Sequence, residues 1–184
     1  MNNLILKKLD FLDKNQDNNE NNFNITWSQG VFIEYLVNIK KPKNILEIGC
    51  GNGFSTLWIA KGLLNYNFNI DTIDINSQKI EAAKKNTKYC KINDKVNFYI
   101  GDVFEVLLKL QNKSYDFIFI DSCQKDYTKI LEELKRLELF DEDVTIVFDN
   151  IFSHKMNYFV SEMNKSYFCE TINIGGGFLV LKIN

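Results

Sequence analysis

One proline, one arginine and one histidine stand in 184 residues, and neither sign of charge dominates. With 45% hydrophobic residues and so little proline, the chain is neither a linker-rich array nor a disordered segment. A net charge of −2 supplies no global attraction to nucleic acid or to an anionic membrane surface. The lysine-rich stretches at 40–43 and 84–91 therefore read as solvated helix ends and faces. No apolar run approaches the roughly 20 residues needed to span a bilayer. Lys7 and Lys8 interrupt the apolar start, which argues against a signal peptide. The four cysteines, Cys50, Cys90, Cys123 and Cys169, form no C-x-x-C pair and no metal-ligand spacing. They read as reduced thiols of a cytoplasmic protein. Scarce arginine beside abundant Asn, Lys and Ile reads as codon bias of an AT-rich genome, not as function.

What is present is a regular alternation of patterns. Leu4, Ile5, Leu6, Leu9 and Leu12 predict a short amphipathic helix that packs on the domain or on a partner subunit of a homodimer. An Asn-rich polar stretch at 14–24 follows as a loop or linker, so residues 1–24 precede a single domain over 25–184. Trp27, Val31, Phe32, Tyr35, Leu36 and Ile39 recur at helical spacing, and Pro42 closes that helix. Strand-like runs then lie at 45–48, 70–75, 96–100, 117–121 and 144–149. Helical stretches at 56–64, 77–90, 103–110 and 125–139 separate them. Such alternation predicts an α/β fold with a parallel sheet covered on both faces. The end differs: 167–174, three glycines and 178–183 read as a hairpin, with glycine supplying positive φ.

The most informative segment is Glu47-Ile48-Gly49-Cys50-Gly51-Asn52-Gly53, a strand running through alternate glycines into an apolar helix. Glycines there let the backbone turn sharply and approach a ligand. The dinucleotide fingerprint G-x-G-x-x-G fails, because its third glycine position is Phe54. The spacing E-x-G-x-G-x-G instead resembles motif I of class I S-adenosylmethionine-dependent methyltransferases. In an open α/β sheet the ligand lies across the carboxyl ends of the strands, so each acid there receives a task. Asp74, about twenty residues past the glycines, has the spacing of an acid that meets ribose hydroxyls. Asp102, after the third strand, is placed to take the adenine amino group. Their neighbours Ile75 and Val103 complete the expected cofactor wall with Gly49, Gly51, Gly53 and Asp121. Glu47 either orients the loop or meets the methionine amino group. Ser55 offers its hydroxyl and backbone N–H to the methionine carboxylate.

A second group suggests a metal. Asp121 ends the fourth strand and Asp149-Asn150 ends the fifth, placing three oxygen donors at neighbouring strand ends. Two carboxylates and an amide carbonyl suit a hard divalent cation such as Mg²⁺ that keeps positions open for substrate.

Over about residues 26–184 the chain resembles the metal-dependent O-methyltransferases, the catechol and caffeoyl-coenzyme A group. The likeness rests on Gln29-Gly30, motif I, Asp121 with Tyr127, Asp149-Asn150 and the terminal glycine hairpin. It implies a Rossmann-like seven-stranded sheet, mostly parallel with an antiparallel last strand, and metal ligands at Asp121, Asp149 and Asn150. It also implies methyl transfer to a metal-chelated hydroxyl of a small-molecule acceptor. One departure stands out: the family's general-base lysine falls on Gln124, which cannot take a proton. Lys125 is turned by about 100° on a helix relative to that position. Lys125, His154 or water is then left to accept the proton, with the metal activating the hydroxyl. Two other readings are a methyltransferase acting on a modified tRNA base or sugar, and a non-catalytic cofactor-binding protein.

Overall fold

The computed structural model describes residues 1–15 and 24–183. Seven strands build one sheet: β1 (Asn44–Ile48), β2 (Asn69–Asp74), β3 (Val96–Ile100), β4 (Phe117–Ile120), β5 (Thr145–Phe148), β6 (Phe168–Ile172) and β7 (Phe178–Lys182). Their order is β3-β2-β1-β4-β5-β7-β6. β1 to β5 pair in parallel, and β7 runs antiparallel to both of its neighbours, β5 and β6. The expected sheet and its reversed last strand are both present. The chain moves outward through β2 and β3, then crosses back to β4 beside β1. The β1–β4 boundary is thus the point where strand order reverses, and a crevice opens there at the strand ends.

Among the described residues seven α-helices accompany the strands: α1 (Asn2–Lys14), α2 (Trp27–Lys40), α3 (Phe54–Gly62), α4 (Ser77–Tyr89), α5 (Val103–Lys109), α6 (Tyr127–Arg136) and α7 (Asn157–Ser166). Alternation along the strands divides the core in two. Leu46, Ile48, Ile118, Ile120, Ile146 and Phe148 meet α5, α6 and α7 through residues such as Leu107, Ile130 and Phe159. Ile45, Phe117, Phe119 and Val147 meet α1, α2 and α3 through Ile5, Leu9, Ile33 and Trp58. α1 therefore packs on the domain itself, with Ile5 and Leu9 fully buried. Among the described residues no helix is long and apolar enough to cross a membrane.

Several boundaries differ from the sequence expectation for local reasons. α3 starts at Phe54, not at residue 56, because Gly53 takes a left-handed conformation (φ 87°) and ends the loop there. The helix expected over 125–139 splits into a 3-10 turn, Gln124–Asp126, and α6; its end is set by left-handed Glu138 (φ 52°). α7 had no counterpart in the sequence reading, although Met156, Phe159 and Met163 carry its buried face. Most of the Asn-rich stretch, 16–23, lies outside the described residues.

Candidate functional site

Gly49, Gly51 and Gly53 all have positive φ (95°, 52° and 87°), so the loop after β1 folds in a way L-residues with side chains resist. Gly49 is constrained further: a β-carbon there would overlap the Asp121 carbonyl oxygen on the neighbouring strand end. Beneath the loop lies Glu47, fully buried. It points toward α3 and accepts hydrogen bonds from Ser55 Oγ (2.6 Å), Thr56 Oγ1 (2.6 Å) and Thr72 Oγ1 (2.7 Å). Burial pushes its carboxyl up, and the three hydroxyls offset part of that. Of the two tasks expected for Glu47, its position suits orienting the loop. The Ser55 expectation needs correction: its hydroxyl proton is committed to Glu47, which leaves only the backbone N–H for a ligand carboxylate.

Two cavities open at this edge of the sheet and share Gly49 and Asp121. The larger, about 310 Å³, is lined by Asp74, Ile75, Asp102, Val103 and Ser122 among others. Asp74 also serves the loop, since its Oδ2 accepts from Gly51 N (2.9 Å) and its Oδ1 from Asn76 N (2.8 Å). Asp102 caps α5 through Phe104 N (2.9 Å). The smaller cavity sits over the start of α3, between Asn24, Gly51, Phe54 and Ser55. Three buried side-chain polar atoms have no hydrogen-bond partner among the described residues, and two of them, Asn24 Nδ2 and Ser122 Oγ, belong to residues lining these cavities.

The proposed metal donors are brought together. Asp149, 1% exposed, accepts from Asn150 N (2.7 Å) and from the Asn150 side-chain amide (3.0 Å), which also reaches Asp121 Oδ1 (3.4 Å). Burial pushes both carboxyls up, and for Asp121 the neighbouring Asp149 charge adds to it. Two acids thus lie close together, and among the described residues no positive side chain is hydrogen-bonded to either. No group of three His, Cys, Asp or Glu side chains converges as a metal site among the described residues; the third donor here would be the Asn150 amide. Asn150 itself is left-handed (φ 58°), which turns its side chain back over the pair.

Sequence reasoning did not find what supports this cluster. Gln29, 2% exposed, donates to Asp149 Oδ1 (2.6 Å). Buried Tyr127 donates to the Asp149 carbonyl (3.0 Å). The glycines of the terminal turn serve more than the hairpin: β-carbons at Gly175, Gly176 and Gly177 would overlap Gln29, Asn150 and Phe152. Gln124 is held beside the cluster, donating to the Asn150 carbonyl and accepting from Ser153 Oγ (3.1 Å). Lys125 is exposed on the adjoining turn, and His154 is exposed at the start of a 3-10 turn, Ser153 being its cap. Neither lines the two cavities.

Known proteins carry the same arrangement of elements. A methyltransferase of Podospora anserina, its structure described as S-adenosylhomocysteine-bound, superposes with a TM-score of 0.85 over 98% of this chain and 88% of its own, at 18% identity. That likeness is one of fold. A catechol O-methyltransferase of Niastella koreensis is 30% identical over 127 residues, which is 67% of this chain and 56% of the relative. One of the same name from Mycobacterium tuberculosis is 27% identical over 127 residues, 69% of this chain and again 56% of the relative. The chain thus matches little more than half the length of these relatives. The family model described as O-methyltransferase spans residues 2–173, from α1 to the end of β6, and on that match the chain belongs to the O-methyltransferase family.

Proposed function

We propose that the protein transfers the methyl group of S-adenosylmethionine to a hydroxyl oxygen of a small-molecule acceptor beside a divalent cation. The observation that carries the reading is the position of Asp121, which lines the nucleoside-sized cavity and is joined through Asn150 to Asp149. One carboxylate thereby belongs to both the cofactor wall and the acceptor side. The glycine cradle and the orphaned polar atoms on its walls fit a ligand rich in hydrogen-bonding groups. S-adenosylmethionine supplies an electrophilic sulfonium methyl. A hard cation suits the all-oxygen donors Asp121, Asp149 and Asn150, and its charge favours a deprotonated hydroxyl.

The chain's own residues act by placement, which is the larger part of catalysis in a transfer between two bound groups. Asp74 and Asp102 present acceptor oxygens to a nucleoside. Gln29 and Tyr127 hold Asp149 in register. Gln124 cannot accept a proton and acts by orienting the Asn150 backbone and Ser153. Lys125 and His154 are both exposed and line neither cavity, which leaves water to accept the released proton.

Methylation of a panel of hydroxylated metabolites, with Mg²⁺ and with chelator, tests this. Product that requires Mg²⁺ supports the reading; chelator-resistant transfer removes the metal from it. Gln124 favours one rival, a protein that binds the cofactor without turnover. Tight cofactor binding with no product on any acceptor would establish that rival.

A further inference from the structure

A lysine stands on the wall of the larger cavity. Four acids line that cavity, Asp74, Asp102, Asp121 and Asp126, and among the described residues on its wall Lys79 is the only basic one. Lys79 is half-buried in the first turn of α4. Among the described residues its ammonium makes no hydrogen bond or ion pair; only its backbone N–H is engaged, donating to Asn76 Oδ1 (3.2 Å). Lys84, further along the same helix, is paired with Glu81 (2.7 Å). The first turn of a helix favours acids, because its free N–H groups carry partial positive charge. A lysine there gains nothing from the helix, and this one gains nothing from an ion pair. α4 is fixed against the glycine loop: a β-carbon at Gly53 would come within 3.1 Å of Ala83, and Asn86 Nδ2 donates to the Asn52 carbonyl (2.9 Å). Buried Ile80, next to Lys79, seats the same turn against Cys50 of the loop. The ammonium is therefore held at the cavity, and its field reaches Asp121 at the end of β4.

We propose that Lys79 sets the balance between cofactor and product in this cavity, by repelling the cationic sulfonium of S-adenosylmethionine and tolerating the neutral thioether of S-adenosylhomocysteine. The inference rests on the S-adenosylmethionine reading above and adds a specificity-determining residue to it. Methyl transfer carries the methyl carbon from sulfur to the acceptor oxygen, and the C–S bonding pair stays on sulfur. The ligand thereby loses one positive charge while the rest of it is unchanged, so a charged wall can tell the two apart. The four acids attract the sulfonium and Lys79 opposes them. Two like charges about 8–10 Å apart, at an effective dielectric of about 20–40, change affinity roughly five- to fifteenfold. Product consequently competes with cofactor more strongly than the acids alone would allow.

Calorimetry with both ligands tests it. Lys79→Gln should tighten S-adenosylmethionine roughly fivefold or more and leave S-adenosylhomocysteine within about twofold. Lys79→Glu, which reverses the charge, should tighten the first ligand further and again spare the second. Lys79→Arg keeps the charge and should keep the wild-type ratio of the two affinities. Lys84→Gln, on the same helix but off the cavity wall, should keep it as well. A lysine that only packs would move both ligands together, so the ratio is the readout. A ratio unchanged in Lys79→Gln and Lys79→Glu, loss of both ligands included, overturns the role of Lys79 and leaves the cofactor reading intact. A ratio that moves as far in Lys79→Arg as in Lys79→Gln does the same. A wild-type protein that binds neither ligand overturns both.

Discussion

The side-chain amide of Gln29, at the start of α2, donates a 2.6 Å hydrogen bond to Asp149 Oδ1 at the end of β5. The two residues are 120 positions apart, and both are almost wholly buried. The Gln29 carbonyl oxygen faces the other way and accepts from Thr26 N (2.9 Å) and Thr26 Oγ1 (2.9 Å), completing a capping box. One amide therefore fixes a helix start and a carboxylate orientation together. The terminal glycine turn closes over it at Gly175.

Gln29→Leu is expected to lower the unfolding free energy by about 1–3 kcal/mol, because it leaves a buried acceptor unpaired and breaks the cap. Urea denaturation followed by circular dichroism measures this. A change below about 0.5 kcal/mol, the range of neutral surface substitutions, would show the bond to be dispensable.

The loop glycines should separate cleanly. Gly49→Ala drives a methyl into the Asp121 carbonyl on the adjoining strand end, at a positive φ, and is expected to cost more than about 3 kcal/mol. Gly51→Ala meets no atom within 4 Å and carries only left-handed strain, about 1–2 kcal/mol. Thermal unfolding of the two variants side by side decides it; equal losses would mean that the β1 and β4 ends move apart easily.

Gln124→Ala removes an orienting amide and no proton acceptor. Its rate loss on a productive acceptor should fall short of the roughly 10²–10⁴-fold typical of a general base. Gln124→Lys is expected to raise activity on catechol-type acceptors. A Gln124→Ala protein that binds cofactor and Mg²⁺ yet loses three or more orders of magnitude, about 4 kcal/mol, would make Gln124 essential to acceptor placement.

Thiol chemistry offers a test that is independent of turnover. Burial pushes the Cys90 thiol up to about 11, and it also raises Cys50, where the Glu47 charge adds to it. Cys123 is exposed on the wall of the larger cavity. A mild alkylating reagent at neutral pH should label Cys123 first and reach Cys50 and Cys90 only on unfolding. Saturating S-adenosylhomocysteine should slow the Cys123 reaction; an unchanged rate would place the ligand elsewhere. Folded Cys90 holds its proton more tightly than an unfolded thiol, which titrates near about 8.5. Its contribution to stability is therefore complete below that pH and is lost as pH rises toward about 11. Cys90→Ala should flatten this alkaline decline in the melting temperature.

Local pattern alone accounts for much of this protein. Alternating apolar strands and helical stretches determined an α/β sheet, because a strand buried on both faces and an amphipathic helix have different periods. Glycines at alternate positions determined where the backbone could turn against a ligand, and acids at strand ends could be located because a parallel sheet presents all its carboxyl ends on one edge. α7 escaped notice although its spacing was visible at Met156, Phe159 and Met163.

The tertiary structure decided which groups share a space and which are already spent. Pleating turns Glu47 toward α3, where both its oxygens accept from three hydroxyls of two elements and the Ser55 proton is spent on it. Gln29 acquires its place by packing against Asp149, 120 positions away, and Gly176 by its close approach to Asn150; no local pattern encodes either contact. A hydrogen bond depends on position within a few tenths of an ångström. Residue type and spacing set what a side chain can donate or accept; only the folded chain sets what stands within reach of it.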